Sequence, residues 1–226
     1  MRIIYWSDYA CPFCYIGETI LRKAFSELGT DEKLELVMKS FELDPTASRK
    51  VASTTPERFA HKYGLTHSQA LARIEAISRM GQSAGIDFRY STTRYTSTLD
   101  AHRLTKLAQD KYSNDTAEKL TGRLFAAYFT DNQELANYDV LMRAGLDAGM
   151  NEADIDAVLS SDMYEADVRN DENEAYSQGV HAVPFFVVAG KYSIPGASPL
   201  DDMKEVLRKG LHVPAMSCGP EGCRLS

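Results

Sequence analysis

The chain has 226 residues, with 32 acidic against 25 basic and a formal net charge of −7, and 44% of it is hydrophobic. Such a chain builds a substantial globular core, and an acidic balance without a block of like charge argues against nucleic acid or an anionic membrane as partner. No stretch reaches transmembrane length, and four cysteines are too few for a secreted disulfide scaffold, so paired ones point to catalysis or metal binding in a reducing compartment.

The apolar run Ile3-Ile4-Tyr5-Trp6 reads as a buried strand over residues 2–6. It is broken by Ser7-Asp8 and lacks the long apolar region and small-residue cleavage site of a signal peptide, so a cytoplasmic protein is expected. The next stretch, Ser7-Asp8-Tyr9-Ala10-Cys11-Pro12-Phe13-Cys14, organises the rest. Ile16, Ile20, Leu21, Ala24, Phe25 and Leu28 trace an amphipathic helix over 12–28, and Pro12 suits its first turn because a fixed φ and a missing N–H cost nothing there. Cys11 then falls at the N-cap, where free N–H groups and the helix dipole favour an anion. A thiol so placed has its pKa drawn from roughly 8.5 towards roughly 3.5 to 7.5. Cys14, inside the first turn, is placed to resolve a mixed disulfide formed on Cys11. The same C-x-x-C spacing also serves as half of a zinc site.

Leu34 to Phe41 alternates well enough for a second strand, giving a βαβ unit with parallel strands and a right-handed crossover. Helical periodicity then takes over. Thr55 is predicted as an N-cap before Pro56, and Thr66 with Gln69 has capping-box spacing ahead of a stripe of Leu71, Ile74, Ile77 and Met80 that Gly85 ends. Further helices carry Leu99, Arg103, Leu104, Leu107 and Ala108, then Leu120, Leu124, Phe125, Tyr128 and Phe129. Asp139 and Asn151 are predicted N-caps, and a last helix spans about 162–179. Strand character returns at Val183-Pro184-Phe185-Phe186-Val187-Val188-Ala189, with Gly190-Lys191 as hairpin turn and Tyr192-Ser193-Ile194 as the return strand. A final helix from Ser198-Pro199 through Leu200, Met203, Val206 and Leu207 is expected to close on Gly210 at C′.

The order βαβ, helical block, ββα predicts an α/β protein. On Ser7 to Gly17, Ser40 to Pro45, Leu99 to Leu104 with Ala101-His102-Arg103, Leu124 to Phe129 and Val180 to Ala197, the chain resembles the DsbA family of thioredoxin-fold proteins, in its FrnE-like branch. The resemblance implies a thioredoxin fold from residues 1–45 and 180–214, an inserted helical domain over 46–179, and a tail over 215–226. It implies a cis peptide at Val183-Pro184 facing the cysteines, with the Val183 backbone offered to an extended substrate strand, and substrate contacts at Pro12, Phe13, Val183 and Pro184. It implies thiol–disulfide exchange through Cys11 and Cys14 with protein, peptide or small thiols, glutathione as a co-substrate, and no cofactor beyond the redox-active cysteines. Two departures, Ser97 where asparagine is common and Ser198 where glutamine is common, are expected near the substrate groove. Where the strong oxidant DsbA has histidine this chain has Phe13, so a potential between about −120 and about −270 mV is expected.

The alternative activity is that of a glutathione-dependent isomerase or transferase of the 2-hydroxychromene-2-carboxylate isomerase or kappa type, which shares the insertion architecture; a non-enzymatic redox sensor or peptide-holding module is a third reading. The second thiol, Cys14, favours the two-thiol enzyme, since holding glutathione takes one residue only. Cys218 and Cys223, separated by Gly-Pro-Glu-Gly, form a second pair. It reads as a shuttle or regulatory pair, a static local disulfide, or part of a four-cysteine zinc site. Asp8 is expected to satisfy backbone donors in the strand-to-helix turn, and His102 to be a packed or surface histidine rather than a base.

Overall fold

In a computed structural model of the chain, residues 1–212 are described in full, and beyond them only the backbone pairing of two short strands, Met216–Gly219 with Gly222–Leu225. The side chains of Cys218 and Cys223, and hence the chemistry expected of them, lie outside the described residues.

Strand β1 (Arg2–Ser7) occupies the centre of a four-stranded mixed sheet of order β2-β1-β3-β4. It pairs in parallel with β2 (Glu35–Ser40), Ile3 opposite Leu36, and antiparallel with β3 (Phe185–Val188), Trp6 opposite Phe185. β3 pairs antiparallel with the edge strand β4 (Tyr192–Pro195). Alternation along β1 sends Ile3 and Tyr5 into the main core on one face, and Trp6 into a second cluster with Phe41, Ala175 and Val180. Helix α1 (Pro12–Ser26) is the crossover between β1 and β2.

Between β2 and β3 lie α2 (Thr55–Tyr63), α3 (His67–Ser83), a 3₁₀ turn at Tyr90–Thr92, α4 (Leu99–Lys111), α5 (Asn114–Phe129), α6 (Tyr138–Ala148), α7 (Glu152–Leu159) and α8 (Glu165–Ser177). An α/β thioredoxin fold interrupted by helices is therefore what the chain forms. The block is anchored to α1 by aromatic packing: Tyr15 stacks on Phe125 at 5.0 Å between ring centroids, and Tyr9 meets the same ring at 5.1 Å. Helix α8 lies against β2, although five acidic residues stand from Glu165 to Glu174. Two of them bind backbone at the end of β2 and just past it: Asp171 Oδ2 accepts the Ser40 N–H at 2.8 Å and Glu172 Oε1 the Glu42 N–H at 3.0 Å.

Several local expectations shift. Helix α2 is capped by Thr54, not Thr55, because Thr54 and Glu57 form the reciprocal capping box while the Thr55 hydroxyl bonds Thr93. Likewise Asn137 rather than Asp139 caps α6, its side chain accepting the Asp139 and Val140 N–H groups. The buried stripe of α3 is Ala70, Ile74, Ile77 and Gly81, leaving Leu71 at 41% and Met80 at 44% exposure. Gly81 is needed there: a Cβ would stand 2.5 Å from Phe88 Cγ. The last inserted helix runs Glu165–Ser177 rather than from 162 to 179. The β3–β4 turn centres on Ala189-Gly190, both at positive φ, with the Lys191 N–H bonded to the Val188 carbonyl, one residue earlier than Gly190-Lys191.

Gly210 is the clearest correction. Helix α9 (Leu200–Leu211) does not stop at it. Gly210 is buried inside the last turn, where a Cβ would meet Val188 Cγ1 at 2.5 Å, so the missing side chain lets α9 lie close on β3.

Candidate active site

The site begins where β1 runs out. The Asp8 carbonyl accepts the Cys11 N–H and the Cys11 carbonyl accepts the Cys14 N–H, each at 3.1 Å, which turns the chain directly into α1. Cys11 is the N-cap, in extended conformation (φ −87°, ψ 113°), with Pro12 at the first helical position. Its sulfur makes no capping bond and contacts the Val183 carbonyl instead, at 3.6 Å. That approach follows from register. With Trp6 paired to Phe185, extending both antiparallel strands brings Pro184 and Val183 alongside Ser7 and Asp8. The Val183–Pro184 peptide is cis. Gly17, one turn into α1, lets this loop settle: a Cβ would stand 3.0 Å from Pro184 Cγ.

The two cysteines are unbonded and differ in surroundings. Cys11 is 3% exposed and lines a cleft of about 530 Å³, whereas Cys14 is fully buried and does not reach it. Burial pushes the Cys14 thiol well above its ordinary pKa and the neighbouring Cys11 adds to the rise, opposed more weakly by the Ser7 hydroxyl and the Asp8 backbone. Pro12 is buried; Phe13, at 37% exposure, stands on the cleft rim.

Asp8 is buried behind the loop and joins three segments. Its Oδ1 accepts from the Ala10 N–H at 3.2 Å and the Thr98 hydroxyl at 2.8 Å and faces His102 Nε2 at 3.4 Å; its Oδ2 accepts the Leu43 N–H at 2.8 Å. Burial alone would raise the Asp8 pKa, but the His102 ring and these hydrogen bonds outweigh it and hold the carboxyl below the ordinary value. His102 is packed, with Nε2 facing the Asp8 carboxylate and Nδ1 meeting no partner among the described residues.

The cleft has two walls. One is the cysteine loop from Ala10 to Phe13 with His181, Ala182 and Val183; the other comes from α2, α3 and the 3₁₀ turn, with Arg58, Phe59, Lys62, Tyr63, Arg73, Ile77 and Tyr90. Neither Ser97 nor Ser198 lines it: the Ser97 N–H donates to the Ser48 carbonyl, and Ser198 borders a separate apolar depression with Ile16, Ile20 and Met80.

Residues 2–208 match the DSBA-like thioredoxin domain. The chain belongs to the DSBA-like thioredoxin family. Among solved structures, a probable DsbA oxidoreductase, SCO1869 from Streptomyces coelicolor, is 30% identical with a TM-score of 0.86, covering 100% of this chain and 99% of its own. More distant structures share the DSBA-like fold alone. The cytosolic disulfide reductase DsbM from Pseudomonas aeruginosa, with glutathione, is 17% identical at TM-score 0.60 over 93% and 99% of the two chains. A 2-hydroxychromene-2-carboxylate isomerase is 14% identical at 0.66 over 92% and 95%.

Within this DSBA-like frame, the charged cleft residues that sequence reasoning overlooked come from the inserted helices. Arg58, Lys62, Arg73 and Tyr90 share no motif with the cysteines and line the same cleft only because α3 packs on α1 and carries α2 and the 3₁₀ turn against it. The partnership of His102 with Asp8 was equally invisible at a separation of 94 residues. Among the described residues no group of three or more His, Cys, Asp or Glu side chains is placed to hold a metal ion, and no helix is long and apolar enough to cross a membrane.

Proposed function

We propose that the protein is a dithiol–disulfide oxidoreductase of FrnE-like type that exchanges disulfides with protein, peptide or small thiol substrates through Cys11 and Cys14. The observation that carries the reading is the asymmetry of the pair: one sulfur at a helix N-cap facing the cleft beside the Val183 carbonyl, the other sealed behind it with its proton held. The Cys11 thiolate attacks one sulfur of a substrate disulfide, the substrate S–S bond breaks, and the departing thiolate takes a proton from water. Once Cys11 is in the mixed disulfide its charge no longer opposes ionisation of Cys14. Cys14 then gives its proton to water and attacks the Cys11 sulfur, closing the Cys11–Cys14 disulfide and expelling the second substrate thiolate. Two electrons pass from the protein to the substrate, and the reverse sequence oxidises a substrate dithiol.

Main-chain pairing with Val183, and contacts with Pro12, Phe13 and Pro184, would hold an extended substrate with little sequence preference. A cytoplasmic setting with glutathione as co-substrate, and no cofactor besides the cysteines, belongs to the same proposal. The tail cysteines Cys218 and Cys223 are assigned, on sequence alone, as a second exchanging pair. Removing residues beyond 214 should then shift the measured Cys11–Cys14 potential; an unchanged potential would count against exchange.

The alternative, a glutathione-dependent isomerase or transferase, draws support from the shared fold but has no use for the sulfur at Cys14. Insulin-disulfide reduction separates the two. Cys11→Ser should abolish it, and Cys14→Ser should stop turnover while accumulating a covalent adduct on Cys11 visible by intact mass. A Cys14→Ser variant that turned over at the wild-type rate would refute the two-thiol mechanism.

A further inference from the structure

The protein is acidic overall, with 32 carboxylate residues against 25 basic ones. The cleft at Cys11 inverts that balance. Arg58, Lys62 and Arg73 line it, and among the described residues no aspartate or glutamate does. Among the described residues none of the three forms an ion pair, whereas most other arginines do. Arg58 is held with its guanidinium 3.9 Å from the centre of the Tyr95 ring, and its buried Nε meets no acceptor among the described residues. Cations left unpaired around a concave, largely apolar site create a positive field that low-dielectric walls focus on whatever enters. At about 530 Å³ the cleft is sized for a small molecule rather than a folded surface.

We infer that Arg58, Lys62 and Arg73 make the cleft selective for low-molecular-weight disulfides whose ends carry carboxylates, docking those carboxylates while the sulfur pair meets Cys11. The inference rests on the exchange reading above and narrows its substrate class. The step is the same. Cys11–S⁻ plus R–S–S–R gives Cys11–S–S–R and R–S⁻, and Cys14–SH completes the reaction to one protein disulfide, one R–SH and one R–S⁻, so the reduced protein supplies both electrons and the Cys14 proton. The geometry also reverses an intrinsic order: a thiolate attacking unaided repels an anionic disulfide and attracts a cationic one, and the cleft cations work the other way.

Pre-reduced full-length protein is mixed with one of three small disulfides of similar backbone: dithiodipropionate (anionic), bis(2-hydroxyethyl) disulfide (neutral) and cystamine (cationic). Each rate constant is divided by that of a free thiolate with the same disulfide. The normalised constant should be at least about tenfold larger for the anion than for the cation at low salt. The ratio should fall towards one at about 1 M salt, where screening acts within roughly 3 Å. The double variant Lys62→Glu with Arg73→Glu, both exposed on helices, should lower the anion-to-cation ratio by about tenfold or more. Equal normalised constants, or a preference that survives both salt and substitution, would overturn the inference while leaving exchange intact. Failure of all three disulfides to oxidise the protein would overturn the exchange reading and this inference with it. Should the double variant not fold, the salt dependence of the wild-type ratio decides alone.

Discussion

Asp8 Oδ1 lies 3.4 Å from His102 Nε2, both side chains buried, so the loop that presents Cys11 is tied to the N-terminal turn of α4. The same carboxylate also accepts from the Ala10 and Leu43 backbone and from Thr98. Asp8 therefore positions the cysteine loop without itself facing the cleft.

Replacing Asp8 by Asn removes the charge and turns one acceptor into a donor facing the Leu43 N–H. A cost of about 2–4 kcal/mol is expected, since buried partners are left unpaired. Because the Asp8 carboxyl is held below the ordinary value, its contribution is complete above about pH 4 and is lost as the pH falls through its lower folded value. Urea unfolding of wild type and Asp8→Asn should thus differ by a constant amount at neutral pH and converge only in acid.

Cys14 has the opposite sign. Its folded pKa is raised, so the stabilisation is complete below the ordinary thiol value of about 8.5 and is lost as the pH rises towards the folded value. Thermal unfolding of the dithiol form should therefore weaken between pH 8 and 10 relative to Cys14→Ser, which has no thiol to ionise there.

Two glycines separate site from scaffold. Gly17→Val should push Pro184 off α1 and slow insulin reduction by about tenfold or more, through loss of the Cys11–Val183 approach rather than of the fold. Gly210→Ala overpacks α9 against Val188, on the far side of the sheet's end from Cys11, and should cost about 1–3 kcal/mol in urea unfolding with exchange unchanged per folded molecule.

Phe13 carries no charge to stabilise a neighbouring thiolate. Phe13→His should favour the dithiol form and raise the reduction potential by about 30 mV for each tenfold gain in that preference. Equilibration against glutathione buffers measures it directly.

What local chemistry dictates was legible before any coordinates. A four-residue apolar run, a proline one residue after Cys11 and an amphipathic helix specify a strand, an N-cap and a first turn through interactions that span a few residues. Thr66 with Gln69 announced its capping box for the same reason. The errors fell where several local solutions compete within one turn, as at Thr54 and Thr55 or Asn137 and Asp139. Gly210 misled because a glycine near a helix end satisfies two demands equally well, a left-handed cap or close packing, and only Val188 across the interface decides between them.

Tertiary structure alone decided the rest. That Asp8 meets His102, that Val183 meets Cys11, and that three cations of the helical block line the cleft on which Cys11 opens are relationships between segments tens of residues apart. Sequence periodicity reports which face of an element is apolar; it carries no record of which neighbour covers that face. The identity of the reacting atoms is thus written in one short motif, and their surroundings are written in the packing of everything else.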